Sequence, residues 1–204
     1  ITGGTASRIE RISRFMFSGQ HTERQGSKMA RSLLSIVIMV LVVFGLSRLL
    51  NTFVFGAYEI PSGSMEDTIE VGDLVFSEKL SYYTSEPQKG DIVTFADPLV
   101  SNRTLIKRVI ATGGQTVDLQ NGKVVVDGVV IDEPYTENKV SEPFEKTAVS
   151  ISYPYTVPEG YLWVMGDNRT NSQDSRYFGA IDASSVTGHS VFTYWPIPHI
   201  GVLS

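Results

Sequence analysis

Residues 32–47 read SLLSIVIMVLVVFGLS, sixteen consecutive residues with no charge and almost no polar group. No other feature constrains the fold as strongly. A segment with no polar face cannot sit at the surface of a water-soluble domain. Sixteen residues fall short of the roughly 20 needed to cross a bilayer as a helix. Leu49, Leu50, Phe53, Val54 and Phe55 continue the apolar character, and Arg48 can snorkel to the headgroups. The sequence therefore predicts one transmembrane helix over residues 32–50. Two other readings stand beside it. A buried core helix would normally keep a polar stripe, and none exists here. A cleaved signal peptide could end near Gly56-Ala57, but its basic preamble would be unusually long.

Charge gives the segment a direction. Residues 1–31 carry Arg8, Arg11, Arg14, Arg24, Lys28 and Arg31 against Glu10 and Glu23, a net +4, whereas residues 32–204 carry a net −9. A basic N-terminal flank predicts that residues 1–31 are cytoplasmic and that the body lies outside, in a single-pass plasma-membrane protein. The tail is rich in Ser, Thr, Gly and Arg with little periodicity, which predicts a mostly disordered segment. The acidic body lacks a basic stripe, so nucleic acid is not an expected partner. Cysteine is absent, which excludes disulfides, thiolate metal sites and a cysteine nucleophile. The three histidines (His21, His189, His199) form no His-Glu-x-x-His pattern. No metal and no cofactor are expected.

Residues 51–204 read as a separate β-rich domain. Runs at 74–76, 91–95, 105–111, 116–119, 123–126, 129–131, 161–165 and 190–194 are rich in β-branched and aromatic residues. Asn121-Gly122 and Asp127-Gly128 are two-residue turn signals and predict consecutive hairpins. No long 3.6-residue periodicity follows the apolar helix. The expected fold is mainly β, with folded-over antiparallel sheets.

Three polar clusters interrupt this pattern. They are IPSGSM (60–65), LIKRVI (105–110) and GDNRTNSQDSR (166–176). In a strand, Leu105, Lys107 and Val109 share one face, while Ile106, Arg108 and Ile110 share the other. A lysine on an apolar face either reaches water or is held near neutrality by burial. A serine such as Ser64 needs a base to become a nucleophile. No Gly-x-Ser-x-Gly elbow surrounds it, and the histidines are poor candidates. Free lysine titrates near ~10.4, so only about one in 2,500 is neutral at pH 7. Lowering that by about three units takes ~4 kcal/mol of differential destabilisation. Burial among Leu105, Ile106, Val109 and Met65 could supply it.

The set PSGSM (61–65), GD (72–73), GDIVTF (90–95), IKRVIATGG (106–114), GDNRTNSQDSR (166–176) and YWP (194–196) resembles bacterial type I signal peptidases in order and spacing. The resemblance covers roughly residues 30–200. The interval between Lys107 and Gly166 is short, like that of the compact Gram-positive type. The resemblance implies a membrane-bound serine endopeptidase that removes signal peptides from secretory preproteins after small residues at −1 and −3. It places the nucleophile on Ser64 and the general base on Lys107. The oxyanion hole falls on Ser62 with the Ser64 amide. Ser172 would orient the lysine amine, Asp174 and Arg176 would form a scaffolding ion pair, and Asp167 and Arg169 would buttress the same loop. Ile60, Pro61, Met65, Ile69, Leu105 and Ile106 would line the substrate pockets, with Tyr58 and Val75 nearer the −3 side. The stretch 53–58 would rest on the lipid headgroups, and the enzyme would act near the secretion translocon. Asp67 occupies a position where this family usually has proline. Two other readings share some of these features. A self-cleaving repressor-type Ser/Lys protease would need a DNA-binding segment, and a membrane-tethered β-scaffold would turn over nothing.

Overall fold

The computed structural model describes residues 28–29, 31–50 and 54–203. Most of the expected basic tail, residues 1–27, lies outside the described residues, as do 51–53. The chain divides into two compact units, residues 1–50 and 51–204.

In the first unit, helix α1 (Arg31–Leu50) is long and apolar enough to cross a membrane. Its large apolar side chains are exposed along its whole length; Leu41 and Phe44, for example, are both more than 60% accessible.

The second unit is built from β-strands. β1 (Phe55–Glu59), β2 (Leu74–Glu78), β3 (Ile92–Ala96), β4 (Thr104–Thr112), β9 (Tyr161–Met165), β10 (Ile181–Asp182), β11 (Val186–Trp195) and β12 (Gly201–Val202) form an eight-stranded sheet. Its order is β1-β2-β11-β3-β4-β9-β10, with β12 added beside β11, and the pairings are antiparallel. A second antiparallel sheet holds β5 (Thr116–Gln120), β6 (Lys123–Val126), β7 (Val129–Val130) and β8 (Tyr155–Thr156), in the order β7-β6-β5-β8. This is the mainly β, folded-over architecture that the sequence predicts.

Local chemistry explains the hairpins. Gln120 pairs with Lys123 and Val126 with Val129, so each loop has two residues. Asn121, Gly122, Asp127 and Gly128 all have φ between 51° and 80°. Two successive left-handed residues match the right-handed twist of the flanking strands, and Asn-Gly and Asp-Gly adopt them at least cost. Of the stretch 53–58, expected at the headgroups, the part from Phe55 onward forms an edge strand. Phe55 faces Glu78 in register, and its ring packs 4.7 Å from that of Phe76. Residue 53 lies outside the described residues.

Three apolar clusters make the core. One joins the two sheets around Trp163, Val117, Val124, Ile110 and Met165. A second packs Val93, Phe95, Val109, Val164 and Phe178. The third, Ile60, Met65, Ile69, Val75 and Ile92, lies around the segment that carries Ser64. Strand β4 is central, flanked by β3 and β9. Its alternation puts Leu105 and Val109 in the second cluster and Ile106 against the third. Lys107 therefore enters an apolar layer by parity alone.

Candidate active site

Ser64 sits in a single 3₁₀ turn, Gly63–Met65, that breaks the extended path from β1. Met65 and Ile60 anchor the turn in the core on either side of it. Asn168 holds it from across the site. Its backbone N–H donates to the Ser64 carbonyl at 3.2 Å, and its side-chain amide donates to the Gly63 carbonyl and to the Glu66 carboxylate, each at 2.9 Å. Gly166 lets the two segments approach. A Cβ there would lie 2.3 Å from both the Ser64 carbonyl oxygen and Ser172 Oγ.

The Lys107 amine lies 2.6 Å from Ser64 Oγ and donates to the Ile106 carbonyl at 2.7 Å. The lysine is 2% exposed and Ser64 8%. Burial pushes the Lys107 pKa down to about 8. The carboxylates of Asp174 and Asp167 act in the opposite sense, and the Arg103 guanidinium adds to the depression. Ser62 precedes the turn in extended conformation, with its hydroxyl not used as a helix cap. Ser62, Ser64 and Lys107 line one cavity of about 290 Å³, together with Leu105, Asn171 and Phe178.

The polar loop after β9 is held by buried, two-pronged ion pairs. Arg176 donates to both Asp174 oxygens, at 2.9 and 2.8 Å, so the expected pair is formed. Asp167 and Arg169 do not pair with each other through their side chains. Arg108 claims both Asp167 oxygens at 2.9 and 2.7 Å, and Thr68 adds a third donor at 2.6 Å. Arg169 grips both oxygens of Glu133 at 2.9 and 2.6 Å, and its Nε donates to the Gly166 carbonyl. Tyr135 lies between them, its ring 3.9 Å from the Arg108 guanidinium carbon. Arg108, Glu133 and Asn168 are the supporting residues that sequence reasoning missed. Only Arg108 carried a local signal, as an arginine alternating with Lys107 in an apolar strand.

Two expectations change. Ser172 does not bond the lysine amine, which donates to the Ile106 carbonyl; its Oγ is buried beside Gly166 with no hydrogen-bond partner among the described residues. Among the expected pocket residues, Leu105 lines the cavity. Ile60, Met65, Ile69 and Val75 are packed in the apolar cluster under the Ser64 turn, with Ile106 against it. Tyr58 is half-buried in β1 and Pro61 is exposed. Asp67 adopts φ 81°, which a proline ring forbids, and its carboxylate pairs with Lys139. Among the described residues no cluster of three or more His, Asp or Glu is arranged to hold a metal ion.

The family model for signal peptidase, peptidase S26, matches residues 29–195. A probable signal peptidase I-1 of Synechocystis is 38% identical, over 81% of this chain and 84% of that protein. Signal peptidase I of Leptolyngbya laminosa is 32% identical, over 87% and 85%. Signal peptidase I of Bacillus licheniformis is 33% identical, over 88% of this chain and 97% of that one. With a match across most of its length and a buried serine and lysine in contact in one cavity, the chain belongs to the signal peptidase family, peptidase S26, as a signal peptidase I enzyme that removes signal peptides.

Proposed function

We propose that Ser64 is the nucleophile and Lys107 the general base of a membrane-anchored endopeptidase that cuts secretory preproteins after small residues at −1 and −3. The observation that carries this reading is the 2.6 Å contact between the Lys107 amine and Ser64 Oγ at a 2%-exposed lysine. The neutral amine accepts the hydroxyl proton as Oγ attacks the scissile carbonyl. The resulting ammonium protonates the departing amine, leaving an ester on Ser64. Lys107, neutral again, takes a proton from water, and the hydroxide formed releases the signal peptide as its carboxylic acid. Ser62 and the Ser64 amide stabilise each oxyanion. Ser172 Oγ, buried beside the turn with no partner among the described residues, is available to hold the lysine once its contact with Ser64 is broken.

The substrate binds extended in the cavity beside β4, where Leu105 offers an apolar wall. Tight walls reject large side chains by overlap. Helix α1 anchors the enzyme in the plasma membrane, and the basic flank orients it with the N-terminus inside and the β-domain outside, close to emerging preproteins. The test is incubation of detergent-solubilised chain with a preprotein carrying Ala at −3 and −1, with the cut read by mass spectrometry. Ser64→Ala and Lys107→Ala should each abolish cleavage while the fold persists by circular dichroism. Activity retained in either variant removes that residue from its role.

A further inference from the structure

The cavity that holds Ser64 and Lys107 continues along β4 to a cation that hydrogen-bonds neither of them. Leu105 and Lys107 of β4 and Arg103, the residue just before it, alternate along the chain and all line the cavity. Arg103 sits at the mouth, half exposed. Its Nε donates to the Asp97 carboxylate, which is 1% exposed. That carboxylate also accepts the backbone N–H groups of Leu99 and Val100, at 2.7 and 3.2 Å. The Asp97 N–H closes the hairpin onto the Arg103 carbonyl at 2.9 Å. The acid is thus committed to building the turn and fixing one edge of the guanidinium. Neither terminal nitrogen of Arg103 has a hydrogen-bond partner among the described residues.

A guanidinium with one edge fixed and its end free presents a planar, two-donor fork to whatever occupies the cavity. We propose that Arg103 is a specificity-determining residue that binds an acidic side chain of the substrate near the scissile bond. The inference rests on the peptidase reading above. Strand geometry gives the distance. Four residues separate Arg103 from Lys107, roughly 13 Å at about 3.3 Å per residue. The arginine side chain reaches back over part of that span, so the acidic residue sits about two to four positions from the cut. A substrate main-chain carbonyl is the competing occupant of the same fork, and it carries no charge for Arg103 to select.

The experiment uses the full chain in detergent with a peptide series. All peptides keep Ala at −3 and −1, and single Asp, Asn or Lys residues are scanned through the other positions within four of the scissile bond on both sides. Wild-type protein should cleave one Asp peptide about three- to tenfold faster in kcat/KM than its Asn counterpart. The advantage should shrink as NaCl is raised to about 0.5 M. Arg103→Gln should bring that ratio to about one, and Arg103→Glu should invert it in favour of Lys. Ratios are read within each variant, so a change in absolute rate does not enter, and turnover of the Asn peptide reports an assembled site. A wild-type ratio near one at every position overturns the proposal without any variant. Retention of the ratio in Arg103→Gln does the same, and leaves the carbonyl as occupant. In both cases cleavage of the Asn peptides by wild type, absent in Ser64→Ala, leaves the peptidase reading standing. Failure of wild type to cut any peptide takes down both.

Discussion

Lys107 can be interrogated twice, by kinetics and by stability, and both measurements must report the same proton. Its pKa is pushed down to about 8 by burial. At pH 7 about one-tenth of the enzyme therefore holds a neutral amine, at pH 8 about half, and at pH 9 about nine-tenths. A peptide assay of kcat/KM should rise nearly tenfold per unit below pH 7 and level off above about 9. The stability sign follows from linkage. A folded-state lysine pKa below the unfolded value means that the unfolded chain binds more protons between about 8 and 10.5, so stability rises with pH across that window. Taking about 8 and about 10.5 as the two values, the gain between pH 7 and 9.5 is about 2 kcal/mol. Urea denaturation of wild type and Lys107→Met at both pH values should show this gain in the first and not the second. Burial also raises the pKa of Tyr82, Tyr135 and Tyr153, which lowers stability at high pH, but it does so equally in both proteins and drops out of the difference. A kinetic pKa near 10.5, with a wild-type-to-mutant stability difference that ignores pH, would refute a desolvated lysine.

The remaining expectations probe the parts around the dyad. Ser62→Ala should lower kcat by roughly 10²–10³ with little change in KM; an effect confined to KM would remove it from the oxyanion hole. Gly166→Ala puts a methyl 2.3 Å from the Ser64 carbonyl oxygen, and should cost about 1–3 kcal/mol of stability and at least ~10² in kcat, measured by denaturation and peptide turnover. Arg176→Met leaves the Asp174 carboxylate without its ion partner. It should destabilise by roughly 3–5 kcal/mol and move the kinetic pKa of the surviving activity upward, because Asp174 already acts to raise that of Lys107.

Local rules carried much of the fold. Strands 123–126 and 161–165 begin and end where β-branched and aromatic runs do, and the Asn-Gly and Asp-Gly turns form where their left-handed preference predicts. Strand parity placed Lys107 on an apolar face before any contact was known. β1 was missed because its five residues follow an apolar helix and look like its continuation, and the helical turn Ser175–Phe178 was missed because four residues show no period. The site's supports were the least legible part. Glu133 lies 36 residues from Arg169, in a stretch with no motif, and only the closing of the second sheet brings them together. Asp167 and Arg169 are two apart in one loop and were expected only to buttress it, yet each takes its ion partner from elsewhere in the chain, Arg108 of β4 and Glu133.

The ion pairs also bear on why this lysine can be neutral. Arg108, Arg169 and Arg176 are each almost fully buried, and each occupies both oxygens of one carboxylate: Asp167, Glu133 and Asp174. A free carboxylate beside Lys107 would hold the amine protonated, since an opposite charge within a few ångströms raises a lysine pKa as readily as burial lowers it. Bidentate arginine occupies both oxygens of each acid without losing its own proton, while Asp174 and Asp167 still act to raise the Lys107 pKa against the burial that lowers it. Guanidinium groups therefore meet two demands at once. They rigidify the loop that shapes the Ser64 turn, and they keep its carboxylates bonded to groups other than Lys107, whose pKa burial influences most. Lysines in their place would compete for protons and could not span both carboxylate oxygens. A rigid polar loop and an uncharged base can share this small volume because every buried acid there already has a partner other than Lys107.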